Sequence, residues 1–254
     1  MSAAGRQVVT DNATLRERYA SLKVGDLVAT RVRAGQREEY LLVDLLERGI
    51  ELFPSALAQL ASRSKAMQVL LFAPYMLPGT RAVHDLHELL AVMPNLARGR
   101  VVSKLDRRNG GLGVFLWNSV EEVYSQAALG LLPFPFVLQP FVPEARDMRV
   151  IVLGDYLEAY WRQNSGNFRH NLHCGGRSVA CEPSDSQSQL CRAVMARGKF
   201  PYAHLDLLVT PEGDSYLGEI NLRGGIRGAK ISAPEYGARL AALQAAACNP
   251  GESL

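Results

Sequence analysis

Cysteine is scarce in this chain: four residues in 254, at Cys174, Cys181, Cys191 and Cys248. None falls in a C-x-x-C spacing, which argues against a zinc ribbon or a dithiol redox motif. They read as free thiols of a reducing cytoplasm, with a Cys174–Cys181 disulfide as the alternative. Charge imbalance is also small. Lys and Arg number 28 against 25 Asp and Glu, a net charge of +3. That lacks the basic footprint of a nucleic-acid protein, although local basic loops still count. No run of about 18 apolar residues is present, so no membrane span is expected. The opening MSAAGRQVVTDN has no apolar stretch of the kind a secretory signal needs. No internal repeat, low-complexity tract, Ser/His/Asp set or Cys/His set stands out.

What is present is an ordinary globular composition, long enough for two or three lobes. The pattern predicts helices over Asp11–Leu22, Glu38–Arg48, Pro54–Leu71, His84–Met93, Ser119–Ala128, Ser188–Met195 and Glu235–Ala247. Gly49 is a helix stop, and Ser119 with Glu122 fits a capping box. Strands are expected in GDLVATRV from Gly25, in IELF, near Thr80, and in RVVSKL from Arg100. RRNGGLG and VFLW then complete a hairpin, unlike the strand-to-helix glycine loops of dinucleotide sites. FVLQPFV carries a proline and reads as an edge strand or linker. MRVIVLG and YLEAYWRQ form a second hairpin around Asp155. HLDLLVT and SYLGEIN form a third, joined by PEGD. The second half should be a mostly antiparallel sheet.

The last hairpin carries the chemistry. Glu219 and Asn221 are two apart on one strand and share a face. Asp206 projects towards them if the hairpin pairs around its turn. Three oxygen donors on one face suit a hard cation, and magnesium is often held by one or two carboxylates plus phosphate oxygens. A polar face washed by solvent is the alternative. Lys104 ends a strand just before a glycine loop, where an ammonium and backbone N–H groups meet polyphosphate. Lys65 is a second such lysine. Either also reads as a solvated surface group. RGGIRGAK, Arg223 to Lys230, packs three glycines and three cations into eight residues. Arginine forks suit planar anions.

Other residues have plainer readings. His170, His173 and Cys174 spell H-x-x-H-C, but an extended segment turns 170 and 173 to opposite sides, and structural zinc needs four ligands. Trp117, Trp161 and Phe134–Phe136 read as core rather than a base-stacking platform. Met195–Phe200 reads as a solvated helix end, and His84 and His87 as surface residues.

The pieces SKAMQVLLFAPYMLPGT, VVSKLDRRNGGLGV, LQPFVPEARDMRVIVLG, AYWRQNSGNFRHNLHCGG, HLDLL and GEINLRGG occur in an order that resembles the ATP-grasp superfamily. The RimK-type carboxylate–amine ligases, which add glutamate to a ribosomal protein, are the nearest type. The resemblance covers about Gly25 to Lys230. It implies an α/β ATP-grasp fold, two lobes gripping ATP, preceded by a shortened α/β lobe. The expected division is 1–62 for that front lobe, 63–139 for the small lobe with its glycine flap, 140–248 for the lobe with the metal site, and 249–254 as a tail.

The resemblance also implies roles. Lys65 and Lys104 match lysines that contact nucleotide phosphates, and Gly111 and Gly113 match the flap over them. Gln139, Phe141 and Val142 match the linker whose backbone recognises adenine. Glu144 and Asp147 match acids near the ribose. Arg149 and Arg162 match arginines of the catalytic region, and Arg169 and Asn171 match a pair beside the phosphates. Asp206, Glu219 and Asn221 match ligands of magnesium (or manganese). Arg223, Arg227 and Lys230 would attract an acidic substrate. ATP would activate a carboxylate as an acyl phosphate and an amine would displace the phosphate. No nucleic acid or membrane is expected as partner, while a homo-oligomer is. Arg108, Asn109 and Cys174 depart from the family pattern, and the basic loop lacks its usual proline near Gly224 and acid near Arg227. A small-molecule kinase and a catalytically quiet ATP-binding subunit are the alternatives.

Overall fold

The computed structural model describes residues 6–35, 38–96, 99–108, 110–164, 166, 168 and 176–249. Strands β1 (Val8–Val9), β2 (Leu27–Val28) and β3 (Glu51–Leu52) pair in parallel, in the order β1-β2-β3. Helices α1 (Asn12–Arg18) and α2 (Tyr40–Glu47) connect them. The Asp11 carboxylate caps α1 by accepting from the backbone of Ala13 and Thr14. Gly49, at φ +71°, follows the end of α2 as its sequence position predicts. Val9, Leu15, Val28, Leu42, Leu45 and Ile50 fill the core of this unit. The strand expected over GDLVATRV shrinks to two residues.

The helix expected from Pro54 to Leu71 is two helices, α3 (Ala56–Ala61) and α4 (Lys65–Phe72). The break has a local cause. Ser64 Oγ accepts from Met67 N and donates to Asp106 Oδ1, and that oxygen also accepts from Ala66 N. A serine N-cap and an aspartate from a distant loop thus start a new helix, with Lys65 in its first turn.

A second, four-stranded sheet follows the order β4-β7-β5-β6 and is antiparallel: β4 (Arg81–Val83), β5 (Val101–Leu105), β6 (Val114–Trp117) and β7 (Phe136–Pro140). Helices α5 (Leu86–Leu96) and α6 (Val120–Ala128) cover it, and α5 continues through Pro94 because Leu89 and Leu96 are anchored in the core. FVLQPFV is therefore no edge: β7 bonds to both β4 and β5. Pro140 is its last residue, where a missing N–H costs the ladder little. The capping box at α6 is displaced by one residue. Ser119 accepts from Glu122 N, but the Glu122 carboxylate accepts from Asn118 N.

The third sheet has five antiparallel strands in the order β10-β9-β8-β11-β12. They are β8 (Arg146–Leu153), β9 (Tyr156–Gln163), β10 (Arg177–Cys181), β11 (Tyr202–Val209) and β12 (Ser215–Asn221). β1 and β10 carried no clear strand signal, being short or half-exposed. α7 (Asp185–Gly198) has a full capping box between Ser184 and Gln187 and packs on α3, α4 and β11. Its end is less solvated than expected, since Phe200 is buried. α8 (Ala233–Cys248) runs against β8. One face of this sheet joins α4 and α7 in the largest apolar cluster, around Phe72, Met148, Leu205 and Ile220. The other face is free to carry charge. Trp117 and Trp161 are half-buried, and Phe134 stacks on Phe136 at 5.2 Å. No described helix is long and apolar enough to cross a membrane.

Candidate active site

The strand register decides which side chains meet. Arg149 lies opposite Asp206, and Asp206 opposite Glu219, so one row crosses β8, β11 and β12 on a single face. Asn221 follows Glu219 on that face. Between Asp206 and Leu207 the register slips, and Gly218 is the extra residue of a β-bulge. A Cβ at Gly218 would lie 3.1 Å from the Asp206 carbonyl oxygen, so glycine lets the two strands stay close here.

A cavity of about 530 Å³ opens over this face. Of the residues singled out from the sequence, Lys65, Lys104, Gly111, Gln139, Phe141, Val142, Asp147, Arg149, Arg162, Asp206, Glu219, Asn221, Arg223 and Arg227 all line it. Three do not. Gly113 closes the β5–β6 hairpin, accepting from Leu105 N at 2.8 Å, and a Cβ there would sit 2.8 Å from that of Arg108. Glu144 is exposed at φ +58° in the turn before β8. Lys230 turns its side chain to solvent while its backbone N–H donates to Glu158 Oε1 at 3.0 Å. Arg169 and Asn171, like His170, His173 and Cys174, lie outside the described residues. The walls also include Arg108 and Gly110 of the glycine loop, and Arg146 and Tyr160, which the sequence did not mark. Arg146 lies over the Trp161 ring at 4.2 Å, and no pattern in the chain signals that pairing.

Each carboxylate lining the cavity pairs with a cation. Arg149 holds Asp206 through Nε at 2.7 Å and Nη2 at 2.9 Å. Arg162 holds Asp147 in the same two-pronged way, at 2.6 and 2.8 Å, and reaches Asp206 Oδ2 at 2.9 Å. Burial by itself would raise the pKa of Asp206, but the two guanidiniums outweigh it and hold the carboxyl below its ordinary range. Asp147 goes the other way: burial raises it, the Asp206 charge adds to this, and Arg162 offsets only part. Lys65 Nζ is 3.2 Å from Glu219 Oε1 and donates to the Arg108 carbonyl at 2.6 Å, so one ammonium ties the glycine flap to β12. Burial lowers the pKa of Lys104, the Lys65 charge adds to this, and Glu219 works against both.

These donors fit magnesium of one kind. Among the described residues no group of three His, Cys, Asp or Glu could hold a metal unaided. Asp206, Glu219 and Asn221 offer two carboxylates and an amide, the set expected when phosphate oxygens complete the shell. The cations now paired with those carboxylates, Lys65, Arg149 and Arg162, are the partners a polyphosphate needs.

Residues 61–241 match the model of the RimK-like ATP-grasp domain. A probable alpha-L-glutamate ligase of Stenotrophomonas maltophilia (strain R551-3) is 34% identical over 134 residues, covering 50% of this chain and 45% of that protein. One from Xanthomonas oryzae pv. oryzae (strain MAFF 311018) is 33% identical over 133 residues, covering 50% and 44%. The chain thus spans about half the length of the curated relatives it matches. Among solved structures, the ADP complex of N5-carboxyaminoimidazole ribonucleotide synthetase, purK, superimposes with a TM-score of 0.61 at 14% identity, over 86% of this chain and 59% of that one. The ATP-grasp ligase PsnB, complexed with precursor peptide PsnA2 and AMPPNP, gives 0.58 at 18%, over 92% and 70%. These two likenesses speak for the fold. The domain match covers more than half of the sequence, and the chain belongs to the RimK-like ATP-grasp family.

Proposed function

We propose that this chain is an ATP-dependent carboxylate–amine ligase. The observation that carries the reading is the facing of Asp206, Glu219 and Asn221 towards Lys65 and Lys104 within one cavity. Its polarity suits phosphoryl transfer, where positioning and charge neutralisation supply most of the catalysis. Lys65, Lys104, Arg149 and Arg162 would hold phosphate oxygens. Asp206, Glu219 and Asn221 would hold magnesium or manganese, which when bound offsets phosphate charge. Gln139, Phe141 and Val142 would seat the base, Gly111 the flap, and Asp147 the ribose side.

A carboxylate oxygen of the substrate attacks the γ-phosphorus and ADP leaves. The amine nitrogen then bonds to the acyl carbon, inorganic phosphate departs, and the amine proton passes to solvent. Arg223 and Arg227, on the cavity wall, support an acidic amino acid or acidic peptide as substrate. Arg169, Asn171, Glu144, Gly113 and Lys230 remain proposed contributors on the strength of the family pattern. The division at 1–62, 63–139 and 140–248, a cytoplasmic location and a homo-oligomeric state belong to the same proposal.

The test is ADP release with a panel of acids and amines. ADP with an amide product supports the ligase, whereas ADP with a stable phosphoester indicates a kinase on the same scaffold. Nucleotide binding without turnover indicates a quiet subunit. Glu219→Ala should abolish turnover, and Arg227→Glu should weaken an acidic substrate; unchanged affinity in that variant refutes the acidic-substrate assignment.

A further inference from the structure

Three consecutive residues at the start of the glycine loop reach three different elements. Asp106 Oδ1 accepts from Ser64 Oγ and Ala66 N and so helps to start α4. The Arg108 carbonyl accepts from Lys65 Nζ at 2.6 Å. Arg107, between them, reaches the unit built on the first sheet. Its Nη1 and Nη2 donate to the two carboxylate oxygens of Glu39, the second at 2.9 Å. Its Nε also lies 3.3 Å from Asp106 Oδ2.

Glu39 is a firm anchor. It stands immediately before α2, and Leu42 N donates to its carbonyl. The segment leading to it is held at several points. Val32 N donates to Gln59 Oε1 at 2.8 Å, Arg63 donates to the Val32 and Ala34 carbonyls, and Gly35 N donates to Glu38 Oε2 at 2.7 Å. In the helix that follows, Leu42 and Leu45 are buried in the core of that unit.

The pair has the stronger of the forms an ion pair takes. It is two-pronged, and the Arg107 and Glu39 side chains are only 30% and 24% exposed, so water screens it less than an open surface pair. Arg107 itself sits at φ +58°, a left-handed conformation that a residue with a side chain holds only where its surroundings impose it. Gly110 and Gly111 follow, also at positive φ, and line the cavity with Arg108. Neither Glu39 nor Arg107 lines it. A glycine loop left free must be ordered when phosphate arrives, and an attachment made beforehand removes that entropy cost from binding.

We propose that Glu39 and Arg107 are positioning residues for the nucleotide: their ion pair clamps the glycine loop to the unit of the first sheet, setting the Arg108 carbonyl on Lys65 and the glycines over the phosphates. The inference rests on the ligase reading and deepens it, because it makes the short front unit part of the nucleotide site.

Hydrogen exchange and calorimetry on the full chain test this. In the nucleotide-free protein, amides of the β5–β6 loop should exchange about fivefold to tenfold faster in Glu39→Ala and in Arg107→Ala, as expected for loss of a half-buried charged pair. Amides of β8 and β11 should not change. Affinity for a non-hydrolysable ATP analogue with magnesium should fall by about the same factor, while affinity for AMP, which lacks the outer phosphates, should change less than about twofold. The double variant should behave like either single one, since both remove the same interaction. Glu39→Gln should fall between wild type and alanine, and it serves alone if the alanine variants do not fold. Unchanged exchange in the loop refutes the clamp. Faster exchange with unchanged affinity for the analogue, or an equal loss for AMP, refutes the positioning role. If wild type does not bind the analogue, the ligase reading fails and the nucleotide role with it, while the exchange rates still decide the clamp.

Discussion

The side-chain amide of Gln68 pairs with the backbone of Ile220 in both directions. Its Oε1 accepts from Ile220 N at 3.0 Å, and its Nε2 donates to Ile220 O at 2.8 Å. Nε2 also donates to Ala61 O at 2.8 Å. β12 is the edge of the third sheet, so this buried amide acts like one residue of a further strand. Ile220 separates Glu219 from Asn221, and Gln68 follows Lys65 by about one turn of α4. A single side chain thus sets the helix that presents Lys65 against the strand that presents Glu219.

Gln68→Leu should therefore lower stability by about 3 kcal/mol or more, because it orphans buried backbone groups. Urea unfolding measures this. Gln68→Glu would keep the Ile220 N contact but set a buried carboxylate oxygen against the Ile220 and Ala61 carbonyl oxygens, so at neutral pH it should destabilise at least as much as leucine. An unchanged midpoint for Gln68→Leu would mean that water replaces the amide.

Arg162 neutralises two carboxylates at once, Asp147 and Asp206. Removing one partner of a buried ion network leaves an uncompensated charge, and Arg162→Ala should cost about 3–5 kcal/mol. Asp147→Asn in the Arg162→Ala background should recover part of that loss. Chemical denaturation of the single and double variants reads out the recovery.

Gly224 is a close-approach position. A Cβ there would meet His204 Nδ1 at 2.8 Å and Arg149 Nη1 at 3.1 Å. Gly224→Ala should push Arg149 away from Asp206 and lower turnover by about tenfold or more, with a stability change of about 1–3 kcal/mol at most. Steady-state kinetics beside thermal unfolding separates the two effects.

His204 provides a pH signature. It is buried, its Nε2 is engaged by Tyr236, and its Nδ1 has no hydrogen-bond partner. Burial first, then the charge of Arg149, lowers its pKa from 6.5 to about 4, against a smaller opposing pull from Asp206. The folded state therefore binds this proton less readily than the unfolded state. The stabilising contribution is complete above about pH 6.5 and is lost as pH falls towards 4, by about 3 kcal/mol in all. Asp206 acts in the same direction at lower pH: its contribution is complete above the ordinary aspartate range of about pH 3.9 and fades beneath it. Denaturation of wild type between pH 7 and 4.5 should show the His204 slope, and His204→Gln should flatten it.

Much of the site was legible because hairpins are local. The turn PEGD brings β11 and β12 together, and a period of two then puts Glu219 and Asn221 on one face. RRNGGLG and Gly154 with its neighbours do the same for the other hairpins. Lys65 and Lys104 needed the order of motifs, since a lone lysine carries no direction. The break before Lys65 was missed because Asp106, which stabilises it, is about 40 residues away. β7 was misplaced because a proline inside an apolar run looks like an edge until the register shows it at the strand's end.

By itself the sequence determined the hairpins, the helix faces, the family and the types of oxygen donor and cation in the cavity. All of these depend on neighbours within one or two turns of chain, or on motifs kept in order. Only the tertiary structure decided that Arg149 and Arg162 neutralise Asp206, and that Gln68 splints the edge strand. Those relationships join residues far apart in the chain, where burial and charge balance take hold only after the sheets have packed.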